Sequence, residues 1–563
     1  MKKIFYIILV YTVILLVNTG CEKQLEEENH SNLTEAYFST PQGIEKGLNA
    51  AYAGLRDLYG PEEGMEAFTS IGTDEFRIAN GNRTTNVANY NSAYNSSNEF
   101  SARIWNSSYR FINTCNGLVD FGTTITGLTD EQKKQKIAEA KFLRAFYYFN
   151  LVQFFGDVTL NKTFSNSPTT AATRTNKAEI YDFIIEDLKT CVTDLTPSPK
   201  LNSLQPGRAS IAAAKHLLAK VYLTRGYSDA AASTDFQDAL TMAKGLIDQS
   251  ASLNLGLLED FGDVFKPLNE TNKEVLFSVQ YSRDLTFGGS HLWNHLYVSP
   301  YDAYLGERNL NDGRSYAWFR GTSWLYNVAF ADKVNDSRYY KTFQSVWKAS
   351  KPINPSGTGT YTIKVNGTSY SLPNPVVKVG DTALVYPGYN MTIEEIRKKK
   401  YYVLTPENYS DSRIFPTMKK YLDPNRDTPN ENSHRPIIVL RLAETYLIAA
   451  EAAFKLGQTG LAATYINVIR TRAAAPGKQA LVQVAEGDIS LDFILDERTR
   501  ELCAENLRWF DLVRTGKLLE RVRKYDDFEA KNNIKDFHVL RPVPLSQINS
   551  VITGTPYSQN PGW

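Results

Sequence analysis

The chain has 563 residues, 42% hydrophobic and 22% charged, with a formal net charge of +1. That length exceeds what one compact core usually fills, so a large single unit or two fused lobes is expected. The balanced charge gives no global field to draw nucleic acid or an anionic membrane, while the high aromatic content, 12% with 33 Tyr and 7 Trp, implies either helix-rich cores or surfaces that grip flat, partly apolar ligands.

Residues 1–20, "MKKIFYIILVYTVILLVNTG", place two lysines before an apolar stretch that ends in small residues, the three-part pattern of a secretory signal. The apolar run from Ile4 to Val17 is shorter than the ~20 residues that span a bilayer. It leads into Thr19-Gly20-Cys21 and resembles a bacterial lipoprotein signal, in which cleavage precedes a cysteine that becomes a diacylated N-terminus. Asn18 departs from that pattern, since an aliphatic residue is usual there. The residues that follow Cys21, "EKQLEEENHSN", are acidic and poor in apolar groups, so 21–35 is expected to be an extended tether. Cys115, Cys191 and Cys503 fall inside apolar-periodic stretches and are expected to be buried free thiols.

Beyond the tether, apolar periodicity predicts helices over roughly 41–60, 102–120, 130–155, 177–195, 208–226, 234–250, 436–456, 459–473 and 490–514. Cap signals support several of them, among them "STPQG" before the first and Gly457 after "AETYLIAAEAAFKLG". The stretch "AEAKFLRAFYYFNLVQFFGD" is apolar nearly all round and should be central, with Lys141 and Arg144 arguing against a membrane span. Two Ala-rich pairs, "RASIAAAKHLLAKVYLTRG" with "DFQDALTMAKGLID" and "LAETYLIAAEAAFKLG" with "LAATYINVIRTRA", read as stacked helical hairpins of tetratricopeptide-like type. Residues 251–435 break the period and are rich in Gly, Pro, Asn, Tyr and Trp. Within them "TYTIKVNGTSYSL" predicts a hairpin turning at Asn366-Gly367. The fold class expected is therefore mainly α, with one irregular, loop-rich lobe.

Catalytic signatures are sparse. The six His are scattered, with no HExxH, no paired-Cys motif, no GxSxG, Walker loop or GxGxxG, so no metal or cofactor is expected. Glu497, Glu501 and Glu505 recur at i, i+4 and would share one face of a helix. A glycosidase needs two carboxyl groups on either side of a sugar ring, and carboxylates stacked along one helix do not surround a substrate. The reading from the residues is a salt-bridged scaffold helix, with Arg498, Arg508 and Arg514 as neutralising partners.

The stretches "AEAKFLRAFYYFNLVQFFGDV", "IYDFIIEDL", "GRASIAAAKHLLAKVYL", "RLAETYLIAAEA", "INVIRTRA", "ILDERTRELCAENLRWFDLVRTGKL" and the terminal "QNPGW" occur in the order seen in the SusD/RagB family of Bacteroidota surface lipoproteins, and the resemblance covers nearly the whole chain after Cys21. It implies a single unit over 36–563: a helical scaffold (about 36–250 and 436–530) and an irregular ligand-binding lobe (about 251–435), with loop 73–100 contributing. It also implies a lipid anchor on Cys21 in the outer membrane, facing outside. A SusC-like TonB-dependent transporter is the implied partner, and the ligand is an oligosaccharide or polysaccharide, or in some members a peptide. The near-neutral charge favours an uncharged glycan. Asp74 and Glu75 resemble an acidic pair common at this point in the family, read as structural, and the acidic tether resembles a surface-export signal.

A sugar binder needs aromatic platforms beside Asn, Asp or Arg that take up hydroxyl hydrogen bonds. Trp293, Tyr297, Tyr301, Tyr304, Trp318, Trp324 and Trp347 lie where helical period does not account for them. Of these Trp293, Tyr301, Tyr304, Trp318 and Trp324 are candidate ligand contacts. The long loop 73–97 adds Arg77, Tyr90, Tyr94 and Asn95. The plain alternatives are packing of the lobe's own core and a solvated loop. A helical-repeat adaptor that binds only protein is the reading from another class.

Overall fold

The computed structural model describes residues 38–62, 64–198, 200, 205–284, 288–410 and 414–563. The expected leader, Cys21 and the tether lie outside the described residues. Helix α1 (Pro41–Ala53) starts where the Thr40 hydroxyl accepts from Gly43 N at 2.9 Å, a cap worth about 1 kcal/mol. The sequence predicts this helix through residue 60, but it breaks at Gly54, where an added Cβ would lie 2.2 Å from the Phe111 ring. A short helix, Leu55–Tyr59, follows.

Helix α2 (Glu99–Gly122) is capped by the Asn98 side chain. Helix α3 (Asp130–Phe155) opens with a reciprocal Thr129/Gln132 box and ends at Gly156, whose φ of +70° suits a residue without Cβ. Helices α4 (Lys177–Asp194), α5 (Ile211–Gly226) and α6 (Asp235–Gln249) follow. As its all-round apolarity predicts, the second half of α3 is buried almost throughout. Its buried Arg144 bonds Asp187 of α4 at 2.8 and 2.9 Å and Asn116 of α2 at 2.8 Å, tying three helices together.

Residues 437–441, predicted as the start of a helix, are instead a strand that pairs antiparallel with Val275–Val279. The run Ile437-Ile438-Val439 is β-branched and suits a pleated surface. Helix α7 (Leu442–Lys455) starts directly after it, and α8 (Thr459–Ala473) follows. The predicted helix 490–514 divides into α9 (Leu491–Leu502) and α10 (Arg508–Arg514), with Ala504 and Asn506 at φ of +60° and +61° between them.

Successive helices pack side by side from α1 to α8, and α6 lies against α7 although residues 250–441 separate them in sequence. The intervening segment is an excursion of short helices and small sheets. Four strands matter below: β1 (Phe76–Ile78), contributed by the early loop, and within the excursion β2 (Phe319–Gly321) and the hairpin strands β3 (Thr360–Val365) and β4 (Thr368–Pro373). The hairpin turns at Asn366 and Gly367, both at positive φ, as the Asn-Gly signal predicts.

Candidate ligand-binding site

The early loop and the irregular lobe meet in a two-stranded ladder. β1 and β2 pair antiparallel, Phe76 opposite Gly321 and Ile78 opposite Phe319. The pairing continues one step further, since Ala79 N donates to Trp318 O at 2.7 Å. Trp318 is thereby held next to the exposed Asn80 and Gly81. On its other side, Ala317 N and Trp318 N donate to Val298 O and Leu296 O at 3.0 and 3.1 Å, so the segment is fixed from two directions.

Trp318 is half-buried and stacks on the half-buried Tyr316, with ring centroids 4.6 Å apart and planes 27° from parallel. The Arg314 guanidinium lies over Tyr316 at 4.8 Å, and the His295 ring packs against Tyr316 at 5.1 Å. Burial pushes His295 down to about 4, so it packs there as a neutral ring at physiological pH. Ala317, between the two rings, is held at φ of +51°, a strained conformation for a residue with a Cβ. Tyr316 and Arg314 were not among the residues singled out in the sequence. Their signal is the alternation of Arg, Tyr and Trp in "RSYAW", although the segment is no regular strand, since Tyr316 N donates to Arg314 O at 3.1 Å.

Most of the other candidates are interior, which corrects the expectation that they present ring faces to a ligand. Trp293 is 1% exposed and packs edge-on against Tyr421 at 5.2 Å. Tyr301 is fully buried, donates to Gly313 O at 2.6 Å and stacks on Trp347. Trp324 is buried against Tyr525, with Arg521 4.8 Å from its ring. Tyr90 donates to Gly72 O at 2.7 Å, and Tyr94 packs edge-on against Trp563 at 4.9 Å. Arg77 is buried and bonds Asp527 at 2.5 Å. The physical reason is common to all six: the lobe and the early loop have little regular structure and build their cores from large rings and paired charges. Tyr304 stays half-buried against Tyr402 at 5.1 Å, and Asn95 is exposed in a turn where its Oδ1 accepts from Ser97 N.

The carboxylates near the C-terminus hold the scaffold. Glu497 pairs with Arg338, Arg470 and Arg500, and Glu501 with Arg338, Arg441 and Arg472. Glu505, beyond the end of α9, pairs with Lys420 and Arg441 at 2.6 Å. These cations differ from those expected: Arg498 pairs with Asp511 and Glu444, Arg514 with Glu451 and Asp511, and Arg508 takes Asp74 in a two-point contact at 2.7 and 2.6 Å. Asp74 also receives Arg521 at 2.6 Å, tying the early loop to the C-terminal helices. Burial raises the Glu501 carboxyl, but the arginines around it outweigh that and hold it at about 2. Such a group cannot keep a proton for acid catalysis near neutral pH, and no sugar reaches a fully buried side chain. Among the described residues, no cluster of His, Cys, Asp and Glu could hold a metal ion, and no helix is long and apolar enough to cross a membrane.

The profile of the SusD family matches residues 273–563, and a second, described as starch-binding and associating with outer membrane, matches residues 23–223. A SusD-like protein of Formosa agariphila is 26% identical, with 98% of each chain covered. The starch-binding protein SusD of Bacteroides thetaiotaomicron is 25% identical over 78% of this chain and 74% of its own. Among solved structures, a laminarin-binding SusD-like protein superposes with a TM-score of 0.63 at 21% identity, covering 93% of this chain and 100% of its own. A SusD homologue from Bacteroides thetaiotaomicron reaches 0.70 at 18% identity, covering 94% and 98%. At these identities the structural likeness shows the fold.

Proposed function

The chain belongs to the SusD family, and from that premise we propose that it is a non-catalytic, cell-surface glycan-binding lipoprotein that captures oligosaccharide or polysaccharide for a SusC-like TonB-dependent transporter. The observation that carries the reading is the stacked Tyr316–Trp318 pair with Arg314 beside it. Sugar rings offer apolar C–H faces beside hydroxyl rims, so stacked half-exposed rings take the face while guanidinium and amide groups take the rim. Arg314 forms no ion pair among the described residues, which leaves its N–H groups for a ligand. Asn80 stands beside the platform, and the relatives whose names mention starch or laminarin support a saccharide ligand. Tyr304 and Asn95 remain candidate peripheral contacts.

Ring contacts contribute modestly, about 0.5–1.5 kcal/mol each beyond burial, and weak capture suits a protein that must release its ligand to a transporter. Affinity electrophoresis of the purified protein in gels containing starch, laminarin or other neutral glycans tests this. Trp318→Ala and Tyr316→Ala are each expected to weaken retardation about tenfold, at about 1.4 kcal/mol per factor of ten. Retardation unchanged in both variants, or binding confined to mixed peptides, would sink the reading.

A further inference from the structure

The hairpin end of the lobe carries a second cluster that the aromatic platform does not use. Strands β3 and β4 pack with a short helix, Ile393–Arg397, and the strand Tyr402–Val403 around a small core of their own, made by Ile363, Val365, Leu372, Ile393, Ile396 and Val403. Beside that core is a pocket of about 340 Å³ whose lining includes Tyr361, Tyr401, Asn374, Arg397, Lys399 and Lys400. Its volume lies at the lower end of the range for small-ligand sites, about 300–1,000 Å³.

Arg397-Lys398-Lys399-Lys400 is the longest unbroken run of cations in the chain. All four are exposed, and none forms an ion pair among the described residues. The Arg397 guanidinium lies 6.0 Å from the Tyr370 ring. The nearby Glu395 caps its own helix, accepting from Thr392 N at 2.8 Å, and feels Lys399 and Lys398 only through space. Across residues 346–410 there are eight Lys and Arg against four Asp and Glu. The net charge of +1 for the whole chain therefore conceals a strongly positive subdomain.

A charge run on a flat helix face is ordinarily just solvated. This one differs because three of its members line a concavity that also holds two tyrosines. We propose that this pocket binds an anionic glycan unit, a uronate carboxylate or a sulfate ester on a sugar ring. The oxyanion would be held by Arg397, Lys399 and Lys400, through charge-assisted hydrogen bonds stronger than neutral ones. The tyrosines supply the apolar contact and Asn374 a hydroxyl partner. An anionic bilayer would also meet the cations, but it has no use for a pocket of this size. The choice of a saccharide rests on the glycan-binding reading above; the choice of an anion does not.

Titration calorimetry on the purified protein tests it, with a sulfated galactan oligosaccharide, its desulfated counterpart, an oligogalacturonate and phosphatidylglycerol vesicles as probes. At least one anionic oligosaccharide is expected to bind tenfold or more tighter than the neutral one. That preference should fade between about 0.1 and about 1 M salt, where the screening length shrinks from ~10 to ~3 Å. The triple variant R397A/K399A/K400A removes exposed side chains only. It should lose the preference tenfold or more while keeping the melting temperature and any neutral-glycan retardation. Trp318→Ala should show the opposite pattern, so failure of this pocket and failure of the platform are distinguishable. Preference for sulfate alone or uronate alone upholds the proposal and names the anion. Equal affinity for charged and neutral oligosaccharides overturns it, as does an unaffected triple variant, or cation-dependent binding to vesicles alone.

Discussion

Glu66 lies fully buried with no cation paired to it among the described residues; Ser70 and Asn506 are its polar neighbours. Burial pushes its carboxyl up from 4.5 to about 8, with Glu75 adding to the rise. The folded protein therefore keeps this proton over a range in which the unfolded chain has lost it. Stability from this group is intact below about 4.5 and is lost as pH climbs towards about 8, by up to about 1.4 kcal/mol per pH unit. His291, which burial pushes down to about 3, acts in the opposite sense, so the total profile mixes both slopes. The difference between the parent and Glu66→Gln isolates the carboxyl. Urea midpoints measured from pH 5 to 8 should show the variant gaining on the parent as pH rises, and a constant difference would refute this. Nothing in the sequence marks Glu66, because its isolation depends on where remote arginines point. The aromatics show the same limit: composition predicts that Trp293 and Trp324 matter, but only packing shows that they face inward while Tyr316 and Trp318 keep partial exposure.

Helices announce themselves through caps and periodicity, and their interruptions do not. The stretch 503–507 contains no proline or glycine, so the periodic pattern runs through it unbroken. What breaks the helix comes from elsewhere in the chain: Lys420 Nζ donates to Cys503 O at 2.9 Å, the Tyr421 hydroxyl to Ala504 O, and Thr69 Oγ1 to Asn506 Oδ1 at 3.2 Å. Such tertiary override turns Glu505 towards Lys420 and Arg441 and leaves Glu497 and Glu501 on α9. Glu501→Gln removes one charge from the fully buried partner of Arg338, Arg441 and Arg472. Breaking a buried pair leaves uncompensated charge, so a loss of about 3–5 kcal/mol is expected, read from denaturant unfolding, with glycan retardation of the folded variant unchanged. The Glu501 carboxyl is held at about 2, below its usual 4.5. Its stabilising share is present above about 4.5 and lost as pH falls towards 2, and acid unfolding of the variant should be correspondingly less steep. Turnover of a glycan by the parent that disappears in Glu501→Gln would contradict a purely structural role.

At the largest scale, α6 and α7 pack together across the excursion of residues 250–441, so the lobe is inserted into the helical stack. The sequence shows this division as a change from periodic to aperiodic composition, but not the tie that returns the lobe to the scaffold. Part of that tie is the β1–β2 ladder together with the Asp74 pairs to Arg508 and Arg521, contacts between residues more than two hundred positions apart, and Arg338 adds to it by pairing with Glu497 and Glu501. The expected anchor at Cys21 precedes the acidic stretch 21–35 in the sequence. Acyl chains contribute about 0.8 kcal/mol per buried methylene, one chain binding only marginally and two or more holding stably. If Cys21 carries the diacyl anchor, its loss should release the protein unless the transporter retains it. The discriminating measurement is fractionation of cells lacking the transporter: the parent should sediment with outer membranes and Cys21→Ala should remain soluble. Sedimentation of Cys21→Ala in that background would mean that something other than the lipid, such as the cationic face around Arg397–Lys400, holds the protein to the surface.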